Sequence, residues 1–124
     1  MIVVDASVLI AHLDDRDALH ERASALLIDA VDVPLGASPI TLAEVLVGPG
    51  RANRLREAQA ALDALEVHEI PLDADAAAQL ASLRAATGLK LPDCCVLLAA
   101  RQAGATVLSL DDRLTRAARD LGLG

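Results

Sequence analysis

The sequence predicts an α/β sandwich built on a largely parallel sheet, and three observations lead to that prediction. Short apolar runs alternate with longer segments whose apolar residues recur at helical spacing. The first run, residues 2–4, has no polar position, as expected of a strand covered on both faces. Apolar residues make up 54% of the chain, yet Phe, Tyr and Trp are absent, so the core must be aliphatic. With 124 residues, the chain is expected to form one domain over residues 1–124.

The first half of the chain carries two strand signals and three helix signals. After the strand at 2–4 a helix is expected to follow Asp5, and apolar spacing indicates another at 17–30. The segment "VPLGAS" is a weaker second strand. Ser38 and Pro39 are typical of an N-cap and a first helical position. The helix that they begin is expected to end at "GPG".

The second half repeats this alternation. Residues 51–65 and 73–87 have the spacing of amphipathic and alanine-rich helices, and "VHEI" between them is a possible strand. Pro92 is expected to open a helix that ends near Gly104. The run "ATVLSL" is the second clear strand, and one more helix follows it.

Composition limits the possible functions. The net charge of −7 argues against a broad basic surface for nucleic acid, and the missing aromatics remove base stacking on protein rings. No apolar run approaches the roughly 18 residues of a membrane span, and no basic segment precedes an apolar one, so a cytoplasmic location without membrane contact is expected. The adjacent Cys94 and Cys95 are expected to be ordinary core residues.

Two strands are each followed closely by an aspartate. Asp5 comes after "IVV" and Asp111 after "VLSL". Parallel strands end at the edge where α/β sheets bind ligands, so both are candidate site residues. Each could instead cap the helix that follows it, with Asp112 as a further favourable charge beside the second helix.

Two more acidic residues lie in apolar segments. Glu44, in "PITLAEVLVG", has no Lys or Arg three or four residues away, and a helix apolar all round is expected to be buried. A buried carboxylate without a partner costs several kcal/mol or takes up a proton. Asp93 follows Pro92 in the same kind of segment. The alternatives are an edge-exposed Glu44 and an Asp93 that only complements the helix dipole.

These four carboxylates have no matched set of basic neighbours in the sequence. Like charges about 5 Å apart repel by roughly 3 kcal/mol at an effective dielectric constant of about 20. A cluster of them needs cations, and ligands that are all oxygen suit hard ions such as Mg²⁺ or Mn²⁺.

Four segments carry a family resemblance. In order, "IVVDASVLI", "SPITLAEVLVG", "LPDCCVLLAA" and "TVLSLDDRL" resemble the four acidic motifs of PIN-domain ribonucleases. The compact length and "AEVLVG" resemble the VapC toxins of VapBC toxin–antitoxin systems. The resemblance covers almost the whole chain and implies a three-layer α/β/α sandwich with a short, mainly parallel central sheet. One departure is Leu114, which stands where an aromatic residue is common.

The resemblance also implies a site. The catalytic and metal-binding residues would be Asp5, Glu44, Asp93 and Asp111. The supporting residues would be Ser7, Ser109 and Asp112. The double acid at 111–112 leaves open which one is the fourth site acid, and Asp111 is preferred because it follows Ser109 by two. Arg113 and Arg116 could contact the RNA backbone, although a solvated helix face also explains them.

The implied activity is an Mg²⁺- or Mn²⁺-dependent endoribonuclease that hydrolyses RNA phosphodiester bonds. A toxin of this type implies a cognate VapB-type antitoxin and a homodimer.

Several alternatives remain on sequence alone. One is a PIN-like RNA-processing nuclease outside a toxin–antitoxin pair, and another is a non-catalytic binding module with the same fold. A third is a phosphotransfer or phosphatase domain. "VVDAS" lacks the second aspartate two residues later that such phosphatases use, and the only lysine, Lys90, precedes a helix instead of following a late strand as in receiver-like domains.

Overall fold

A computed structural model describes residues 1–124. It contains four short strands and seven helices in chain order, β1 (Ile2–Val4), α1 (Ala6–Leu13), α2 (His20–Asp29), β2 (Leu35–Ala37), α3 (Pro39–Arg51), α4 (Leu55–Ala64), β3 (Val67–Glu69), α5 (Ala76–Thr87), α6 (Leu91–Ala103), β4 (Thr106–Leu108) and α7 (Asp112–Asp120). None of these helices has the length and apolar character that crossing a membrane would require.

The strands form one parallel sheet in the order β3–β2–β1–β4. On β1, Ile2 is paired with Leu35 of β2 on one side and with Thr106 of β4 on the other. All four carboxyl ends therefore lie at the same edge of the sheet. The strand order reverses between β1 and β4, and such a reversal is where open α/β sheets bind their ligands.

Helices cover both faces of the sheet. Val3 and Val4 are completely buried but belong to different cores, because successive strand residues point to opposite faces. The core on the Val3 side is formed with α5, α6 and α7, and the core on the Val4 side with α1 to α4. The predicted three-layer α/β/α sandwich with a parallel sheet is confirmed.

The innermost helix is α6, in which seven consecutive residues from Cys94 to Ala100 are buried. Both cysteines are buried and form no disulfide, in line with the expectation that they are small core residues. The position of α6 brings the start of this helix to the sheet edge next to β1 and β4.

The predicted end of the third helix at "GPG" is wrong, because α3 continues through Pro49 to Arg51. Pro49 removes one helical hydrogen bond, but Gly48 before it has no Cβ to collide with the proline ring. The carbonyl groups of Gly48 and Pro49 accept the N–H of Ala52 at 3.2 and 3.1 Å, so the last turn closes despite the proline. The chain then leaves the helix at Asn53, whose φ is 57°.

The helix predicted at 51–65 begins only at Leu55, because Arg51 still belongs to α3, and the remaining boundaries are closer to the predictions. Ser38 caps α3 as expected, since its Oγ accepts the N–H of Ile40 at 3.3 Å. The helices predicted at 17–30 and 73–87 begin three residues later than expected. Before α2, the carboxylate of Asp17 accepts the N–H of Leu19 at 2.8 Å, and this side-chain hydrogen bond favours a turn over a helical start.

Candidate active site

Asp5 follows β1 at the centre of the sheet edge and is 7% exposed. It occupies the N-cap position of α1, but its side chain makes no capping hydrogen bond, so the capping interpretation is wrong for this carboxylate. Its Oδ2 instead accepts hydrogen bonds from the hydroxyl groups of Ser7 at 2.7 Å and Ser109 at 2.8 Å. No protein donor reaches Oδ1, which leaves that oxygen free for a ligand.

The two serines connect the ends of β1 and β4. Ser7 Oγ accepts the N–H of Leu110 at 3.1 Å, and Ser109 Oγ accepts the N–H of Asp111 at 2.9 Å. A hydroxyl group has one proton to donate, and in both serines that proton goes to Asp5. The backbone of the β4–α7 connection thus orients both hydroxyl groups, and they orient Asp5.

Glu44 lies on α3, and its side chain is exposed. The expectation that α3 is buried all round is wrong: only two of its residues are buried, and the side chain of Val47 is 47% exposed. The pKa of the Glu44 carboxyl is nevertheless raised, first by partial desolvation and then by the negative charges of Asp5 and Asp93. Glu44 therefore faces the other acids although its helix borders solvent.

Asp93 is the third residue of α6 and is partly buried. Its carboxylate has no hydrogen bond and no ion pair. Desolvation raises its pKa most, followed by the charges of Asp5 and Asp111, while Lys90 and Arg113 oppose the shift only in part. A simple helix-dipole role would favour the charged form and lower this pKa, so the dipole alone does not describe the surroundings of Asp93.

Asp111 caps α7, because its Oδ1 accepts the N–H groups of Arg113 and Leu114 at 2.8 and 3.1 Å. Capping occupies one oxygen and leaves Oδ2 without a protein donor. Asp112 is exposed and its side chain makes no hydrogen bond. Of these two acids, Asp111 is the one whose charge raises the pKa of Asp93.

The structure thus brings four carboxylates to one edge of the sheet without cations bonded to them. The chain's single ion pair joins Arg54 and Glu57 at the start of α4, away from this edge, and Arg113 and Arg116 are exposed and unpaired. No group of three or more Asp, Glu, His or Cys side chains is arranged so that it could hold a metal ion. The oxygen-only donors and their free lone pairs fit a hard divalent ion that keeps some of its waters.

Two residues beside the site were not expected. Thr41 is completely buried and its hydroxyl has no hydrogen-bond partner. Lys90 immediately precedes α6. Each lies three residues before one of the acids, Glu44 and Asp93, and that helical spacing is the sequence signal that could have identified them.

A cavity of about 760 Å³ lies elsewhere, between the end of α1 and the α3–α4 connection. Its lining includes His12, His20 and the Arg54–Glu57 ion pair, and it contains none of the four acids. The acidic site is instead on an open surface, with Glu44 and Asp111 exposed. An open site suits a polymer that passes across it better than a small molecule that must be enclosed.

Residues 2–120 match the family model of the PIN domain. The chain belongs to the PIN domain family. This PIN domain shares its fold with several solved structures. A toxin–antitoxin complex from Klebsiella pneumoniae is 25% identical, with a TM-score of 0.74 over 90% of this chain and 87% of the other.

Two further structures show the same PIN fold. VapC20 of Mycobacterium tuberculosis, a toxin that cleaves the sarcin–ricin loop, is 22% identical with a TM-score of 0.77 over 94% of this chain and 95% of that one. FitAcB from Neisseria gonorrhoeae is 23% identical with a TM-score of 0.71 over 96% and 94% of the two chains. No curated protein sequence matches the chain significantly. VapC20 and FitAcB, at 22% and 23% identity, support the fold of this chain.

Asp93→Asn is expected to stabilise the metal-free protein by about 1 kcal/mol at pH 7, because it removes the repulsion between Asp93 and the neighbouring carboxylates. The gain is smaller than the roughly 3 kcal/mol of an unscreened pair, because solvent weakens the repulsion and the substitution also removes a favourable interaction with the helix dipole. The folded state raises the pKa of Asp93, so it holds this proton more tightly than the unfolded chain does. Stability is therefore lost as pH rises from the unfolded pKa through the folded one, and asparagine avoids that loss. Urea unfolding in EDTA measures the difference.

Glu21→Gln is the matched control for this variant. Glu21 is also in the first turn of a helix, on α2, but it is exposed and away from the four acids. Its substitution should lower stability slightly by removing a favourable dipole interaction. An Asp93→Asn protein that unfolds at a lower urea concentration than the wild type in EDTA would contradict a crowded acidic cluster.

Proposed function

We propose that this PIN domain is an Mg²⁺- or Mn²⁺-dependent endoribonuclease toxin that a cognate antitoxin neutralises. The observation that carries the proposal is the convergence of four unpaired carboxylates, Asp5, Glu44, Asp93 and Asp111, on an open edge of the sheet. A surface with this charge repels a polyanion unless divalent ions lie between them. The acids and the substrate therefore need the same cation.

Asp5 and Asp93 are the proposed direct ligands, since both lie at the centre of the cluster and are the least exposed of the four acids. Ser7 and Ser109 hold Oδ2 of Asp5 and so keep Oδ1 directed away from the protein's own donors. Glu44 and Asp111 would ligate a second ion or orient its waters. When bound, a divalent ion supplies positive charge to the scissile phosphate and acidifies water.

The proposed partners are an RNA substrate, a VapB-type antitoxin and a second copy of the chain. The Klebsiella pneumoniae structure is a toxin–antitoxin complex, which supports an antitoxin partner. Apolar side chains also remain exposed on neighbouring helices α1 and α3, where Ile10 is 42%, Ile40 40% and Val47 47% exposed. This surface borders Glu44, so a partner that covered it would also restrict access to the acids.

Incubation of the purified chain with structured RNA tests the activity. Cleavage is expected with Mg²⁺ or Mn²⁺ and should disappear when EDTA is added, because the carboxylates alone offer no positive charge to the phosphate. Gel analysis of end-labelled RNA gives the rate and identifies internal cuts. Cleavage that persists in EDTA would contradict a metal-dependent mechanism. A chain that binds RNA and metal without cleaving it would be a binding module.

A further inference from the structure

Lys90, the chain's only lysine, lies at the N-cap of α6. Asp93 is the third residue of the same helix. The side chains of an N-cap residue and a third helical residue lie beside each other, which is the arrangement that lets the two exchange hydrogen bonds in a capping box. Lys90 is therefore held next to the acidic cluster by the start of the helix that carries one of the four acids.

Lys90 is not neutralised by these acids. Its side chain is exposed and forms no ion pair, although carboxylates lie nearby. Its charge and that of Arg113 act on Asp93 from two helix starts, those of α6 and α7. Two unpaired cations thus flank an acidic centre at its rim, on a chain whose net charge is −7.

We propose that the ammonium group of Lys90 binds a phosphate of the RNA strand at the rim of the acidic site and so positions the strand for cleavage. The proposal rests on the proposed function. Metal ions offset the carboxylates at the centre, but a phosphate further along the strand still meets negative charge. A lysine is a compact charge on a flexible stem, and Lys90 can reach such a phosphate without first breaking an ion pair.

RNA binding by the wild-type protein in Mg²⁺, measured by rapid mixing before cleavage proceeds, tests the role of Lys90. The Lys90→Gln substitution is expected to weaken binding about fivefold at 0.1 M salt and to reduce the slope of log K against log salt by about 0.7, the value for one phosphate contact on a single strand. Lys90→Arg should keep both values near those of the wild type. Arg101→Gln, which removes an exposed cation at the opposite end of α6, is the matched control and should change neither.

Methylation of the amino groups provides a second measurement. Because Lys90 is the only lysine, reductive methylation followed by mass spectrometry reports on one side chain and on the N-terminal amine, which lies at the opposite edge of the sheet. RNA is expected to slow the reaction at Lys90 at least threefold and to leave the N-terminal amine unchanged.

The outcomes separate the two proposals. If the wild type cleaves RNA but Lys90→Gln leaves both the affinity and the salt slope unchanged, the role of Lys90 is overturned and the nuclease proposal stands. If the wild type neither binds nor cleaves RNA with Mg²⁺ or Mn²⁺, both are overturned. A lysine that only offsets acidic repulsion would change stability in EDTA and not the salt slope, and that result also overturns the role in RNA binding.

Discussion

Asp5→Asn is expected to reduce the rate of RNA cleavage at least 100-fold, a loss on the order of that caused by removing one preorganised electrostatic contact from an active site. Asparagine has nearly the same shape as aspartate, and its amide oxygen can still accept the hydroxyl hydrogen bonds of Ser7 and Ser109. The substitution therefore removes the negative charge that a divalent ion requires and retains the local structure.

Single-turnover cleavage of end-labelled RNA in Mg²⁺ measures this effect, and circular dichroism confirms that the variant is folded. Asp63→Asn is the control, since Asp63 is exposed on α4 and outside the acidic cluster. It removes the same charge from the chain and should cleave at the wild-type rate. Cleavage by Asp5→Asn within a few-fold of the wild type would remove Asp5 from the proposed metal site.

Leu97→Ala is expected to lower the free energy of unfolding by about 3 kcal/mol and the midpoint of thermal unfolding by roughly 10 °C. Leu97 is completely buried in α6. Truncation removes its apolar surface from the core and leaves a cavity that the surrounding helices fill only in part. The core around Leu97 is aliphatic, since the chain contains no Phe, Tyr or Trp.

Leu91→Ala is the matched control on the same helix. Leu91 is 49% exposed at the start of α6, so its truncation should cost less than about 1 kcal/mol. Urea unfolding of both variants in EDTA compares them directly. Equal losses of unfolding free energy for the two substitutions would contradict the burial pattern, in which the buried residues of α6 form part of the core.

The order of the secondary structure was predictable because its signals are local. Alternation of apolar runs with helical spacing indicated the parallel sheet, and Ser38–Pro39 indicated the start of α3. The end of α3 was not predictable by the same reasoning. Whether Pro49 stops a helix depends on the residue before it and on the hydrogen bonds available in the last turn, and both allowed the helix to continue.

That the four acids lie at one edge of the sheet was predictable from the sequence only in part. Asp5 and Asp111 follow parallel strands, and the strand ends determine where they lie. Glu44 was predicted to be buried because its helix is apolar all round, but α3 lies at the edge of its layer and exposes apolar side chains such as Val47. The residue pattern of a single helix does not determine which of its faces packs against another helix or strand.

By itself, the sequence determined the alternation of strands and helices, the acidic motifs and their family, because hydrophobic periodicity and residue identity are properties of neighbouring positions. The tertiary structure alone decided that one oxygen of Asp5 is held by both Ser7 and Ser109. Hydrogen bonds such as the one between Asp5 and Ser109 join positions 104 residues apart. They form only when β1 and β4 pair, and no local pattern specifies their geometry.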